Sequence, residues 1–375
     1  MAGLYIHIPF CKQACHYCNF HFSTSLKNRK DIVQTMIKEI EIKSVGYEDL
    51  IETIYFGGGT PSLLMISEID SLIKSVINNF TISSQIEITL EANPDDLNAK
   101  KLKELSKSLI NRLSIGIQSF NDQDLKLMNR SHNSFDSINC IDKSLKYFDN
   151  ISIDLIYGMP NSDLISWEKN LNIALKWDLN HISAYALTVE PKTALEKFIK
   201  KEIVVPLHDE IVFEQFNLIH DKLTDLNYVN YELSSFAKKG YFSKNNSAYW
   251  LGKKYIGIGP SSHSFDGSSR SWNVSNNTLY ISDIKNNKMY HQKEKLSNID
   301  QYNEYIMTGL RTVWGISLTN LAEKFGENTK NHFINKSKKF FESKLLIIEN
   351  DLIKTSKKGK FLSDGIASEL FLINR

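Results

Sequence analysis

Six short apolar runs alternate with longer amphipathic stretches over the first half of this 375-residue chain. The apolar runs are rich in Ile, Leu and Tyr and predict β-strands at residues 4–8, 53–56, 86–91, 113–118, 151–157 and 181–188. The stretches between them space apolar residues three and four apart and predict helices at residues 31–44, 66–79, 99–109, 135–148 and 166–176. Uninterrupted alternation predicts an α/β fold with a parallel sheet, because parallel strands need crossover connections. Periodicity alone does not choose between a doubly wound sheet and a barrel.

This alternation stops near residue 190, where Pro191, Pro206 and a Gly-rich stretch at residues 252–267 begin a different pattern. From residue 302 onward, three predicted helices precede two short apolar runs around Glu349-Asn350-Asp351, which predicts a hairpin and a winged-helix-like module. We therefore expect three units. These are a core at residues 1–190, an α+β extension that completes the site at residues 191–300, and a winged-helix-like C-terminal module at residues 301–375.

Charge and hydropathy exclude several classes of partner. The net charge of +2, from 45 basic and 43 acidic residues, argues against nucleic acid or an anionic membrane as the ligand. No apolar run approaches the roughly 18 residues that a bilayer span needs, and the first residues lack the pattern of a secretion signal. We expect a cytoplasmic protein without a transmembrane segment.

Three of the four cysteines lie within eight residues, as Cys11-Lys-Gln-Ala-Cys15-His-Tyr-Cys18, directly after the first predicted strand. In a reducing compartment clustered cysteines indicate metal rather than disulfides. Structural zinc normally takes four protein ligands, so zinc would need His7, His16 or His21 as the fourth. An iron–sulfur cubane with one iron left open suits three thiolates better. Cys140 lies in a predicted helix and is interpreted as a small buried apolar residue.

Small and polar residues recur where the predicted strands end. Gly57-Gly58-Gly59-Thr60 follows the second strand, and Glu91, Gln118 and Asp154 lie in or at the end of the next three. Ligands of parallel barrels and open α/β sheets bind at the carboxyl ends of the strands. The pattern therefore predicts one shared site beside the cysteines.

The cysteine spacing, with the aromatic Tyr17 just before Cys18, resembles the signature of the radical S-adenosylmethionine (SAM) superfamily. This resemblance implies a [4Fe–4S] cluster on Cys11, Cys15 and Cys18, a partial parallel β/α barrel, and an electron donor to the cluster. It also implies that SAM chelates the open iron and that the reduced cluster cleaves SAM to a 5′-deoxyadenosyl radical.

Longer motifs resemble the oxygen-independent coproporphyrinogen III oxidase branch of that superfamily. They are Tyr5-Ile-His-Ile-Pro-Phe-Cys11, Phe56-Gly-Gly-Gly-Thr-Pro-Ser62, Glu91-Ala-Asn-Pro94, Ser114-Ile-Gly-Ile-Gln-Ser-Phe120 and Asp154-Leu-Ile-Tyr-Gly-Met-Pro160. Transferred position by position, the resemblance implies SAM contacts from Tyr5, Tyr17, Gly58, Gly59, Thr60, Glu91, Gln118, Arg130 and Asp154.

This branch contains both an oxidase of porphyrin biosynthesis and the HemW group of heme chaperones. The oxidase carries a fourth cysteine where this chain has Phe20, and it has a long N-terminal extension before its cluster motif. Both differences favour the HemW group, which implies heme as the ligand and heme-acceptor proteins as partners. The oxidase is the alternative, and a metal or heme binder without radical chemistry is a third reading.

The HemW group leads us to expect a His-Asn-x-x-Tyr-Trp motif that binds heme. Here the segment reads Asn245-Asn246-Ser-Ala-Tyr249-Trp250, without the histidine whose imidazole could ligate iron. His263 is the nearest downstream candidate. The resemblance therefore implies heme contacts from Asn246, Tyr249, Trp250 and His263, although Tyr249 and Trp250 are also consistent with ordinary core aromatics, and His263 with a loop histidine bonded to backbone.

Overall fold

A central parallel sheet follows the order of the chain. The structure is a computed structural model that describes residues 2–373. Its first six strands are Ala2–Ile8 (β1), Ile51–Gly58 (β2), Ile82–Ala92 (β3), Arg112–Gln118 (β4), Ile151–Tyr157 (β5) and His181–Ala186 (β6). They pair in parallel as β1-β2-β3-β4-β5-β6. A doubly wound sheet reverses its strand order at a switch point, and this sheet does not, so the barrel-type α/β prediction is confirmed.

Helices connect these strands, five of them where the amphipathic pattern predicts and one, Asp122–Leu127, where it does not. They are Arg29–Ser44 (α1), Ile66–Asn79 (α2), Ala99–Leu105 (α3), Asp122–Leu127 (α4), Ser134–Ser144 (α5) and Leu164–Ala174 (α6). Helix α5 begins with a capping box, because the Asn133 side chain accepts a bond from Asp136 N at 2.9 Å and the Asp136 carboxylate accepts one from Asn133 N at 3.1 Å. Its apolar face, including Ile141, is buried in the main core.

The alternation ends near residue 190, but the sheet does not. The chain continues through Ala194–Lys200 (α7), Asp209–Asp225 (α8), Val229–Glu232 (β7), Ser235–Ala237 (β8), Lys244–Trp250 (α9), Lys254–Ile258 (β9), His263–Phe265 (β10), Ser269–Asn273 (β11), Asn277–Lys285 (α10) and His291–Lys295 (β12). Strand β9 pairs in parallel with β1, and β8 pairs antiparallel with β6. The resulting twelve-stranded sheet runs from β12 to β7 and does not close on itself, so the barrel is partial.

The C-terminal region forms a second layer with its own core. Its elements are Asn298–Leu310 (α11), Ile316–Ser317 (β13), Leu318–Phe325 (α12), Glu327–Glu342 (α13), Leu346–Glu349 (β14), Leu352–Thr355 (β15), Lys357–Lys360 (α14) and Ser363–Leu370 (α15). The three strands form an antiparallel sheet in the order β13-β15-β14, which is the predicted winged-helix-like arrangement. Tyr302, Ile306 and Phe333 are fully buried in this second core. The unit boundaries at residues 190 and 300 stay a prediction.

Within residues 2–373, no helix has both the length and the apolar character that are needed to cross a bilayer.

Candidate functional site

The three clustered cysteines lie on a loop that leaves the carboxyl end of β1. The loop is closed at its base, since Cys11 N donates to Ser23 O at 3.1 Å and Ser23 N donates to Pro9 O at 2.9 Å. Backbone and side-chain bonds also fasten it to the segment after α4, for example from Gln13 Nε2 to Asn129 O at 2.7 Å. All three thiols are free and half-buried. The loop is thus held in one place by bonds that do not involve the thiols.

The surroundings of the thiols bear on which metal group they fit. Burial raises the pKa of Cys11 to about 11 and also raises the pKa of Cys18, so a bound metal must displace the protons. Within residues 2–373 no three His, Cys, Asp or Glu side chains converge closely enough to hold a single metal ion. A cubane places each thiolate on a different iron, so its ligands need not converge on one point. Three free thiols within eight residues of one loop are the donor set that a three-cysteine cluster needs.

The glycine run Gly57-Gly58-Gly59 makes room for this loop. A Cβ atom on Gly59 would lie 2.5 Å from Phe10 O, and one on Gly58, whose φ is +102°, would lie 2.5 Å from His7 Nδ1. Gly59 N and Thr60 N donate to the carbonyls of Ile8 and Phe10 at 2.8 and 2.7 Å. The sequence reading assigned these glycines to the approach of a ligand, and the structure shows that they also let the cysteine loop pack on the end of β2.

A cavity of about 560 Å³ lies at the carboxyl ends of strands β1 to β6, and we call it the cysteine cavity. All three clustered cysteines line it, together with eight of the nine residues predicted to contact SAM: Tyr17, Gly58, Gly59, Thr60, Glu91, Gln118, Arg130 and Asp154. Tyr5 is the exception. Its ring packs against Tyr55, with 6.1 Å between centroids, and its hydroxyl lies 3.4 Å from His7 Nδ1. The fold thus brings residues that are up to 143 positions apart to one end of the barrel.

Arg130 connects the cysteine loop to the strand ends. Its Nη1 donates to Cys15 Sγ at 3.5 Å, and its Nη2 donates to Asn93 Oδ1 at 2.6 Å and to Gly116 O at 2.8 Å. Its Nε is buried and has no hydrogen-bond partner within residues 2–373. A guanidinium fixed in this way presents positive charge to an anionic group such as the carboxylate of an amino acid.

The carboxyl groups of Glu91 and Asp154 line the cysteine cavity. Burial raises the pKa of Glu91 to about 7 and that of Asp154 to about 6. Tyr55 donates to Glu91 Oε1 at 2.8 Å, and the charge of the fully buried Arg112 partly offsets both shifts. Tyr55, Asn93 and Arg112 were not predicted as site residues. Tyr55 on β2 and Arg112 on β4 alternate with apolar residues, which marks them as inward-facing but does not identify their neighbours, and Asn93 follows β3 without such a pattern.

A second cavity, of about 1010 Å³, opens between the barrel and the C-terminal region, and we call it the junction cavity. Aromatic side chains from both regions line it: Tyr157, Tyr185, Phe216, Tyr249, Trp250, Tyr255, Phe265, Tyr305, Trp314, Phe325 and Phe361. Tyr185, Ala186 and Thr188 at the end of β6 line both cavities. The junction cavity therefore adjoins the cysteine cavity and has the size and apolar walls of a site for a large flat molecule.

Three of the four residues predicted to contact heme line the junction cavity, and the fourth does not. Asn246, Tyr249 and Trp250, on helix α9, line the junction cavity. His263 is not among its lining residues, and its ring stacks on Trp272 with 6.1 Å between centroids. Asn245, where the histidine was expected, is buried and accepts a bond from Thr53 Oγ1 at 2.9 Å. This position faces the sheet and is likewise not part of the cavity lining.

Comparison with known proteins identifies the family. The Radical SAM superfamily pattern matches residues 5–172, and that of the HemN C-terminal domain matches residues 296–362. Heme chaperone HemW of Bacillus subtilis is 33% identical over 372 residues, which cover 98% of each chain. This chain belongs to the HemW family of radical SAM proteins. Heme chaperone HemW of Buchnera aphidicola from Acyrthosiphon pisum is 35% identical over 99% of this chain and 98% of its own.

A solved structure shares the HemW-family fold. Coproporphyrinogen III oxidase (HemN) from Escherichia coli superposes with a TM-score of 0.83 at 19% identity, covering 99% of this chain and 90% of its own. The resemblance drawn from the motifs is thus confirmed. Membership of the radical SAM superfamily implies a [4Fe–4S] cluster and SAM, and the cysteine cavity has residues suited to both.

Proposed function

We propose that this protein is a heme chaperone, which binds heme in the junction cavity and transfers it to acceptor proteins. The observation that carries the proposal is a cavity of about 1010 Å³ with aromatic walls that adjoins the cysteine cavity. The relatives from Bacillus subtilis and Buchnera aphidicola, which match over almost the whole chain, are named heme chaperone HemW and support the same function. Heme is large, flat and largely apolar, so aromatic walls stabilise it by stacking and by burial of its faces.

We assign the [4Fe–4S] cluster to Cys11, Cys15 and Cys18, which would leave one iron without a protein ligand. SAM would bind in the cysteine cavity, where Glu91 and Asp154 offer hydrogen-bond acceptors and Arg130 offers donors. When bound, cluster and SAM supply one-electron chemistry, for which a partner protein must donate the electron. The residues of the chain position these groups, and the half-buried loop limits access of water to the thiols.

For heme we propose contacts with Asn246, Tyr249 and Trp250, which line the junction cavity on helix α9. His263 stays a predicted contact that would need to reach heme from outside this lining. Because the two cavities adjoin at Tyr185, reduction of the cluster or binding of SAM would be able to change the affinity for heme.

Anaerobic incubation of the cluster-loaded, reduced protein with SAM tests the proposal against the oxidase. One sample receives coproporphyrinogen III and a second receives heme, and both porphyrin products and bound heme are measured. We expect one heme bound per chain and no conversion of coproporphyrinogen III to protoporphyrinogen. Conversion without heme binding would replace the proposed function with that of the oxidase.

A further inference from the structure

Of the four cationic side chains that line the junction cavity, Lys253 pairs with Glu52, and the other three lie beside helix α11. They are Arg270 on β11, Arg311 directly after α11 and Lys324 on α12. Heme has two carboxylates on one edge of an otherwise apolar ring. We propose, building on the proposed function, that these three cations bind the porphyrin carboxylates, so that the cavity recognises a tetrapyrrole by its acidic edge.

Arg311 is held in position for such a contact. Its Nε and Nη2 donate to the two oxygens of Asp364 at 2.7 and 2.5 Å, and its Cζ lies 5.6 Å from the centroid of Trp250. A guanidinium has five N–H donors, so these two bonds leave three for a ligand. The Asp364 side chain is 62% exposed, so solvent weakens this ion pair and a carboxylate in the cavity can compete with Asp364 for the arginine.

Arg270 is fixed in a similar way. Its Nη1 lies 2.9 Å from Glu304 Oε1, a residue of α11, and its Cζ lies 6.0 Å from the centroid of Phe265. Its Nε is buried and has no hydrogen-bond partner in the part of the chain that the structure describes. A buried donor without a partner costs stability in the absence of a ligand. A porphyrin carboxylate in the cavity would supply an acceptor for it.

Lys324 adds a third cation beside the same helix. Its Nζ lies 5.5 Å from the centroid of Tyr305, and within residues 2–373 it forms no ion pair with a carboxylate. Arg270 and Lys324 contact Glu304 and Tyr305 in the middle of α11, and Arg311 directly follows its last residue, so all three cations border this one helix. That arrangement suits a ligand whose carboxylates share one edge.

The lining of the junction cavity indicates that the porphyrin carboxylates are important for heme affinity. Among the described residues, 2–373, no His, Cys or Met side chain lines this cavity. Imidazole, thiolate and thioether are the side-chain groups that most often ligate heme iron, and the five tyrosines of the lining offer only the less common phenol oxygen, whose pKa burial raises further at Tyr249. We therefore expect the ring faces and the acidic edge to contribute most of the affinity, with the iron contributing little.

Absorbance titrations with three porphyrins test this inference on the full-length, cluster-loaded protein. Heme has both iron and carboxylates, protoporphyrin IX lacks the iron, and heme dimethyl ester lacks the free carboxylates. We expect heme and protoporphyrin IX to bind with similar dissociation constants, and the dimethyl ester to bind about tenfold or more weakly because charge-assisted hydrogen bonds are lost.

Paired variants separate ligand binding from the ion pair. Arg311→Gln and Asp364→Asn both break the Arg311–Asp364 contact, so a purely structural role predicts the same effect from each. We expect Arg311→Gln to weaken heme binding by about tenfold and Asp364→Asn to preserve or tighten it, since the latter removes a competing carboxylate. Arg29→Gln, which removes an arginine paired with Glu68 on the barrel, is the matched control.

The outcomes of this experiment are distinct. Equal affinities for heme and its dimethyl ester, or equal effects of Arg311→Gln and Asp364→Asn, would overturn the inference and leave the proposed function standing. Failure of the unmodified protein to bind any of the three porphyrins would overturn both.

Discussion

Cys15 and Cys140 show how differently two thiols of one chain are placed. Cys15 is half-buried beside Arg130 on the loop of the cysteine cavity, whereas Cys140 is buried inside α5. We expect Cys15→Ser to abolish the iron content and visible absorbance of the anaerobically reconstituted protein, because one of three cluster ligands is lost. Cys140→Ala should retain both, and a full cluster in Cys15→Ser would contradict the assignment.

His132 makes stability depend on pH. Burial lowers the pKa of this histidine to about 4. Its Nε2 lies 3.1 Å from Ile117 O, to which it can donate, and its Nδ1 is buried without a hydrogen-bond partner among residues 2–373. Because the folded-state pKa lies below the unfolded value of about 6.5, stability is complete above that pH and falls as pH decreases toward 4. Between pH 7 and 5 this residue should lower the free energy of unfolding by about 2 kcal/mol.

Urea denaturation of the cluster-free protein at pH 7 and pH 5 measures this effect. His132→Gln keeps a donor for Ile117 O but does not titrate, so its loss of stability over the same interval should be smaller by that amount. Identical pH dependence in the two proteins would show that His132 does not titrate as its burial indicates.

At the scale of elements, the glycine run after β2 and the cysteine loop after β1 depend on each other. A Cβ atom on Gly59 would lie 2.5 Å from Phe10 O and 2.8 Å from Ile8 O, both backbone atoms that cannot move cheaply. We expect Gly59→Ala to reduce cluster occupancy severalfold, although all three cysteines remain. Iron content per folded chain, with folding checked by circular dichroism, is the measurement.

Gly365→Ala is the matched control for that substitution. Gly365 lies in α15, and a Cβ atom there would meet nothing within 4 Å. Alanine is favoured over glycine in a helix by about 0.5–1 kcal/mol, so this variant should be slightly more stable and fully loaded with iron. If Gly59→Ala also loads fully, the close packing of the loop on β2 is not required for the cluster.

Sequence periodicity predicted the six parallel strands because each is short, apolar and bounded by turns. It did not place β9 beside β1, since that pairing joins residues 2–6 to residues 254–258 and no local pattern encodes it. It also did not order the strands, and the sequential order that identifies a barrel emerged from the long-range pairing. Local patterns therefore define elements, while their neighbours depend on contacts that are distant in the chain.

Across the molecule as a whole, the two cavities differ in how far local sequence patterns predict them. The cysteine cavity was largely predictable, because its lining comes from strand ends that recur at regular intervals. The junction cavity was not, because it joins α9 and β11 to α11, α12 and residues such as Phe361 and Asp364. Asn246, Tyr249 and Trp250 were found through a family resemblance, but Arg270, Arg311 and Lys324 carried no local signal.

The shared wall at Tyr185, Ala186 and Thr188 predicts coupling between the two cavities. We expect SAM to change the heme dissociation constant of the cluster-loaded protein by about fivefold or more, and heme to change SAM affinity by the same factor. Isothermal titration of each ligand with and without the other measures this. A heme affinity that is indifferent to SAM would show that the cavities act independently.

The most direct test of the account is an anaerobic titration of heme into the cluster-loaded protein, followed by its Soret band, with Trp250→Ala and Trp177→Ala alongside. Trp177 lies outside the junction cavity, where its Nε1 donates to Asp142 Oδ1 at 2.6 Å. The account predicts saturation at one heme per chain, weaker binding by Trp250→Ala and unchanged binding by Trp177→Ala. Absence of saturable binding, or equal binding by both variants, would contradict it.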